Sequence, residues 1–117
     1  MKEFHNIHKV SYLIGTMLSQ ICFGQFQICL NFSSGSRLDI ECRLIFKKEL
    51  TEEYYESPYT NAGNLLSLLG VTVIDAQFTN NGDLLLKFDS QFEITVCNSN
   101  LEYESYQISN GDDLIVV

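Results

Sequence analysis

The 117-residue chain has no tryptophan, one proline (Pro58) and, from residue 49 onward, a single basic side chain, Lys87. Twelve of its fifteen carboxylates fall in that same acidic stretch, whereas residues 1 to 48 carry six Lys and Arg against three acids. The formal charge therefore splits +3 and −11 within a total of −8. Such a field opposes phosphate binding and argues against nucleic acid as a direct partner. Arg37 and Arg43 do not reverse this, since Asp39 and Glu41 stand beside them as neutralising neighbours.

Other scarcities exclude further classes. Apolar runs extend only a few residues, far short of a bilayer span, so no membrane association is expected. The opening residues, Met1 to His8, lack the apolar stretch and small-residue cleavage site of a secretory signal, which makes a soluble cytoplasmic protein the expectation. No two of Cys22, Cys29, Cys42 and Cys97 are separated by only two residues, so zinc ribbons and thioredoxin-like motifs are absent, and the thiols read as small buried hydrophobes. His5 and His8 share a helical spacing but have no matching ligands, so no metal and no cofactor is expected. His-Glu-x-x-His, Gly-x-Ser-x-Gly and a phosphate-cradling glycine loop are all missing. The expectation is a non-enzyme with no catalytic residues. A small hydrolase built on two carboxylates is the alternative that abundant acid leaves open.

What is present suits one β-rich domain spanning residues 1 to 117. Hydrophobic residues make up 45% and include eight Phe and six Tyr, enough to build a core without staples. Two stretches share a layout. Gly15 to Leu18, Phe23, Ile28 to Phe32 and Leu38 to Ile40 are matched by Gly70 to Val73, Phe78, Leu84 to Phe88 and Ile94 to Val96, at an offset of 55 residues up to the Phe and 56 after it. Alternation of Ile28, Leu30 and Phe32 with polar or small neighbours marks strands. Asn81-Gly82 and the Ser33 to Ser36 run supply turns. The expected fold is mainly β (α+β): two related antiparallel three-stranded meanders, a C-terminal hairpin from Tyr103 to Val117 turning at Asn110-Gly111, and one short helix from about Asn61 to Leu69. Thr60 or Asn61 would cap that helix, Leu65, Leu66, Leu68 and Leu69 would face the core, and Gly70 would close it. Glu49 to Tyr59 reads as a polar connector.

Acids and tyrosines interleave in two places: Glu52, Glu53, Tyr54, Tyr55 and Glu56, then Glu102 and Glu104 with Tyr103 and Tyr106, followed by Asp112 and Asp113. A solvated loop and strand face account for the charge alone. The tyrosines favour an interface, where aromatic anchors beside charges provide binding energy.

The run Leu30-x-Phe32-x-x-Gly35-x-x-Leu38-x-Ile40-Glu41, the segment Asn64 to Gly70, Leu84-x-Leu86-x-Phe88 and Tyr103 to Ile108 resemble a widespread family of small bacterial proteins of unknown function over residues 13 to 117. Family members usually carry Trp where Tyr106 stands, and often a glycine after the second Phe, where this chain has Asp89-Ser90-Gln91. Small acidic proteins of this kind include immunity proteins of polymorphic-toxin and contact-dependent growth-inhibition systems. The resemblance implies a cognate toxin as partner, a basic nuclease whose cleft an acidic surface would cover. The implied contact residues are Glu52, Glu53, Tyr54, Tyr55 and Glu56, with Glu102, Glu104, Asp112 and Asp113 as a second patch. An alternative is a phage or mobile-element inhibitor that mimics nucleic-acid charge.

Overall fold

A computed structural model describes residues 9–59, 61–98 and 105–117. The fold is mainly β, with ten strands in two antiparallel sheets among the described residues. The first meander forms as the alternation predicts, from β1 (Leu18–Phe23), β2 (Ile28–Phe32) and β3 (Arg37–Ile40). Its counterpart is β6 (Val73–Phe78), β7 (Leu84–Phe88) and β8 (Phe92–Val96). The final hairpin, β9 (Tyr106–Asn110) and β10 (Asp113–Val116), turns at Asn110-Gly111.

Two further strands form where the sequence reading assigns none, the second of them inside the Glu49 to Tyr59 segment that reads as a connector. β4 (Leu44–Lys48) and β5 (Thr51–Tyr55) form a hairpin around a two-residue turn, Glu49-Leu50. Neither turn residue is Gly or Asn, yet Glu49 has φ of 57°, a left-handed conformation that those residues usually supply. β5 also lacks apolar alternation because Glu53 lies on the inner side while Tyr54, 56% exposed, lies on the outer. An inward charge on an outermost strand discourages pairing with another chain.

The sheet orders are β1-β2-β3-β9-β10 and β5-β4-β8-β7-β6. Each half of the chain thus builds a three-stranded meander and sends its last hairpin to the other half's sheet. The repeat extends into fine detail. β1 and β6 are irregular at equivalent places, between Leu18 and Gln20 and between Val73 and Asp75. Gly15 N–H donates to Val73 O at 2.8 Å, and its counterpart Gly70 N–H donates to Leu18 O at 2.8 Å. Leu18 N–H to Val71 O (3.2 Å) and Val73 N–H to Thr16 O (2.8 Å) complete a seam between the sheets around the Met17–Thr72 bridge. Glu41 N–H to Ser105 O and Cys97 N–H to Arg43 O, both 2.9 Å, tie the two exchanged hairpins in matching ways.

The inner faces share one core that includes Leu18, Leu30, Leu38, Phe46, Phe88, Ile94, Tyr106 and Ile108. The helix adds to it, as a 3-10 rather than an α-helix, over Ala62–Leu68. That changes its buried face. With three residues per turn, Ala62, Leu65 and Leu68 align inward, each at most 1% exposed, while Leu66 and Leu69 are 51% and 43% exposed. Asn61 makes no side-chain cap, and Thr60 lies outside the described residues. Gly70, at φ of 80°, does take the left-handed exit.

Two expectations follow for urea denaturation. Leu65→Ala should lower stability by about 2–5 kcal/mol and Leu66→Ala by less than about 0.5 kcal/mol, whereas an α-helical stripe would make both costly. Glu49→Asn should raise stability by up to about 1 kcal/mol, because Asn tolerates the left-handed turn position.

Candidate functional site

Strand pairing divides the acidic-tyrosine segment between two faces. β5 is the outer strand of its sheet, so one backbone edge along Thr51–Tyr55 has no strand partner among the described residues. Glu52 and Tyr54 point outward, whereas Glu53 and Tyr55 point toward the core side, and Tyr55 is only 6% exposed. Tyr55 is thereby corrected from contact residue to core residue. Period-two alternation makes a contiguous five-residue contact surface impossible on a strand.

Outside the sheet, Tyr54 is held by its neighbours. Its hydroxyl donates to Glu52 Oε2 at 2.8 Å, and the Arg43 guanidinium carbon lies 5.4 Å from its ring centroid. Arg43 Nε also donates to Glu56 Oε1 at 3.0 Å, so its partner is Glu56 rather than Glu41. Arg37 pairs with Asp39 as expected, at 2.8 Å. Glu52, Tyr54, Arg43 and Glu56 therefore form one connected outer-face cluster. Arg43 escapes the sequence reading, although a signal exists: Arg43/Glu56 and Lys47/Glu52 are opposite charges placed symmetrically about the Glu49-Leu50 turn.

The register extends the pattern into a row of alternating charge across all five strands: Glu52, Lys47, Glu93, Lys87 and Asp75. Opposite charges directly across strands contribute roughly 0.2–1 kcal/mol per pair, which gives several of these acids a structural role. Beside the row lies an open groove of about 510 Å³, lined by Lys47, Lys87, Asp89, Glu93 and the Glu49-Leu50 turn. Ser90 and Gln91 in its wall have φ of 65° and 66°. On the inner side, Glu53 Oε2 accepts from Asn64 Nδ2 at 2.8 Å, anchoring β5 to the 3-10 helix.

The second patch is placed in part. Asp112 and Asp113 are exposed at the start of β10, the outer strand of the other sheet, while Glu102 and Glu104 lie outside the described residues. The described residues of the two patches thus belong to different sheets. Among the described residues there is no group of three or more His, Cys, Asp and Glu arranged to hold a metal ion, and no helix long and apolar enough to cross a membrane.

The tyrosines titrate according to their surroundings. Glu52, through its hydrogen bond and its charge, raises the exposed Tyr54. Burial first, and Glu53 second, push Tyr55 up to about 12. Tyr59 and Tyr106 are raised chiefly by burial. Their hydroxyls donate to Cys42 O at 2.6 Å and to Gly82 O, respectively.

Residues 10–117 match the model of DUF6188, a family of unknown function, and the chain belongs to that family. No curated protein and no solved structure matches it.

Because buried tyrosines keep their protons in the folded chain while unfolded ones ionise near pH 10, the folded state binds more protons in alkali. The stability they contribute is complete below about pH 10 and is lost as pH rises toward their folded values. Urea midpoints should begin to fall above about pH 8.5, where the unfolded counterparts of the raised thiols Cys29, Cys42 and Cys97 ionise, and fall more steeply above about pH 10, where the tyrosines add to the loss. A midpoint unchanged at about pH 11.5 would contradict the burial of Tyr55, Tyr59 and Tyr106.

Proposed function

We propose that this member of the DUF6188 family is a bacterial immunity protein, which binds a cognate toxin and neutralises it by covering a basic active cleft. The carrying observation is the outer face of β5. There an exposed aromatic, Tyr54, stands on the outermost strand, fixed by Arg43 and flanked by Glu52 and Glu56. A tyrosine whose rotamer is already held loses little entropy on docking, and aromatic anchors of this kind dominate interface energetics. The net charge of −8 adds long-range attraction for a cationic surface and speeds encounter.

A basic nuclease cleft is the complementary target, because holding a phosphodiester backbone requires positive charge. Inhibition then needs no chemistry from this chain. Glu52, Tyr54 and Glu56 make the primary contact, with Asp112 and Asp113 adding to the field. Glu53 and Tyr55 serve the reading indirectly, by fixing β5 on the core.

The test pairs this chain with the polypeptide encoded immediately upstream of it. Co-expression should restore growth, and the purified chains should associate. Glu52→Lys with Glu56→Lys should slow association about tenfold or more at low salt and flatten its salt dependence. Tyr54→Ala should speed dissociation, whereas Glu53→Gln should change neither rate. Absence of both binding and growth rescue would overturn the proposal.

A further inference from the structure

A second constellation lies on the other sheet, away from the β5 cluster. Cys22 on β1 pairs directly across from Cys29 on β2, and Cys29 pairs across from Asp39 on β3. These three side chains occupy consecutive positions in one row on the outer face. Their exposure is graded: Cys22 is exposed, while Cys29 and Asp39 are 5% and 7% exposed. Arg37 Nε holds Asp39 Oδ1 at 2.8 Å, which orients the carboxylate. The internal repeat supplies a comparison. The equivalent row in the second half is Gln77, Leu85 and Thr95, also aligned across three strands. The scaffold therefore has no need of two thiols and a carboxylate at these places.

We propose that Cys22, Cys29 and Asp39 form a thiol–disulfide exchange site that takes a low-molecular-weight disulfide as oxidant and closes to a Cys22–Cys29 disulfide. Directly paired residues of antiparallel strands have Cα atoms about 4.5–5.5 Å apart, within the roughly 4.4–6.8 Å that a disulfide spans. Access then assigns the roles. Cys22, deprotonated by solvent, attacks one sulfur of the incoming disulfide, and the other sulfur leaves as a thiolate that takes up the released proton. Cys29 next attacks Cys22 Sγ, expels the second small thiol and passes its own proton toward Asp39, from which it reaches that leaving group. Two protein thiols lose two electrons in total, and one small disulfide becomes two thiols.

Burial, with the Asp39 carboxylate beside it, pushes the Cys29 thiol up to about 11. Cys29 consequently rests protonated and acts only after Cys22 has captured the oxidant. Cys42 and Cys97 supply an internal contrast. They are 6% exposed and half-buried and do not occupy paired strand positions, and burial raises both, Cys42 to about 12.

The experiment treats the reduced, full-length chain with oxidised glutathione, quenches at intervals with acid, alkylates free thiols and maps peptides by mass spectrometry. The expected product has lost two hydrogens and joins Cys22 to Cys29. Cys29→Ser should stop at a glutathione adduct on Cys22. Asp39→Asn should leave adduct formation unchanged and slow closure on the order of a hundredfold. Circular dichroism checks that this variant is folded, and the wild-type map and the Cys29→Ser stall stand independently of it. An unmodified Cys22, a wild-type chain that stops at the adduct, or a disulfide joining Cys42 to Cys97 would overturn the site. Unchanged closure in folded Asp39→Asn would overturn the role of Asp39.

Discussion

The architecture depends on a short seam of backbone hydrogen bonds between residues 15–18 and 70–73. Buried peptide groups need partners, and here each half satisfies the other with near-identical geometry. Around the seam, Leu13 and Leu68 enter the core from 3-10 turns, Gly15 and Gly70 reverse the chain at positive φ, and β1 and β6 depart with matching irregularities. Both meanders are positioned from that point. The exchange of hairpins then fixes them a second time, since β4 and β5 complete the sheet of the second half while β9 and β10 complete that of the first.

This arrangement explains how a duplicated scaffold carries two different surfaces. Inner positions repeat with little change in character: Leu30 with Leu86, Phe32 with Phe88, and Leu38 with Ile94 are all buried. Outer positions are free to diverge because an antiparallel sheet can leave one face in water. One sheet carries the alternating charge row and the Tyr54 cluster, and the other carries the two thiols and Asp39. The overall acidity is consequently less concentrated than the charge split suggests. Glu52 and Glu93 face lysines across strands, Glu56 holds Arg43, and Glu53 is tied to Asn64.

Legibility in the sequence followed the strength of local signals. Where alternation was clear, as in the two meanders and the Asn110-Gly111 hairpin, the elements were readable to within a few residues, even across the Asp89-Ser90-Gln91 turn, which has neither Gly nor Asn. β4 and β5 were not, because Glu49 occupies a left-handed turn position without the usual residue and Glu53 faces inward on an acidic edge. The helix was readable in place but not in type. Leu65, Leu66, Leu68 and Leu69 fit an α-helical stripe, and only the 3-10 geometry separates the buried pair from the exposed one.

The sequence by itself determined the mainly β class, the internal duplication, the C-terminal hairpin and the segregation of charge, since all of these reside in residue type and spacing. Tertiary structure decided which sheet each hairpin joins, that Tyr55 is core while Tyr54 is surface, that Arg43 belongs to Glu56 and Tyr54, and that Cys22, Cys29 and Asp39 share a row. Those outcomes depend on register between strands distant in the chain. A shift of one residue in that register exchanges every side chain between core and solvent, so local pattern alone cannot supply them.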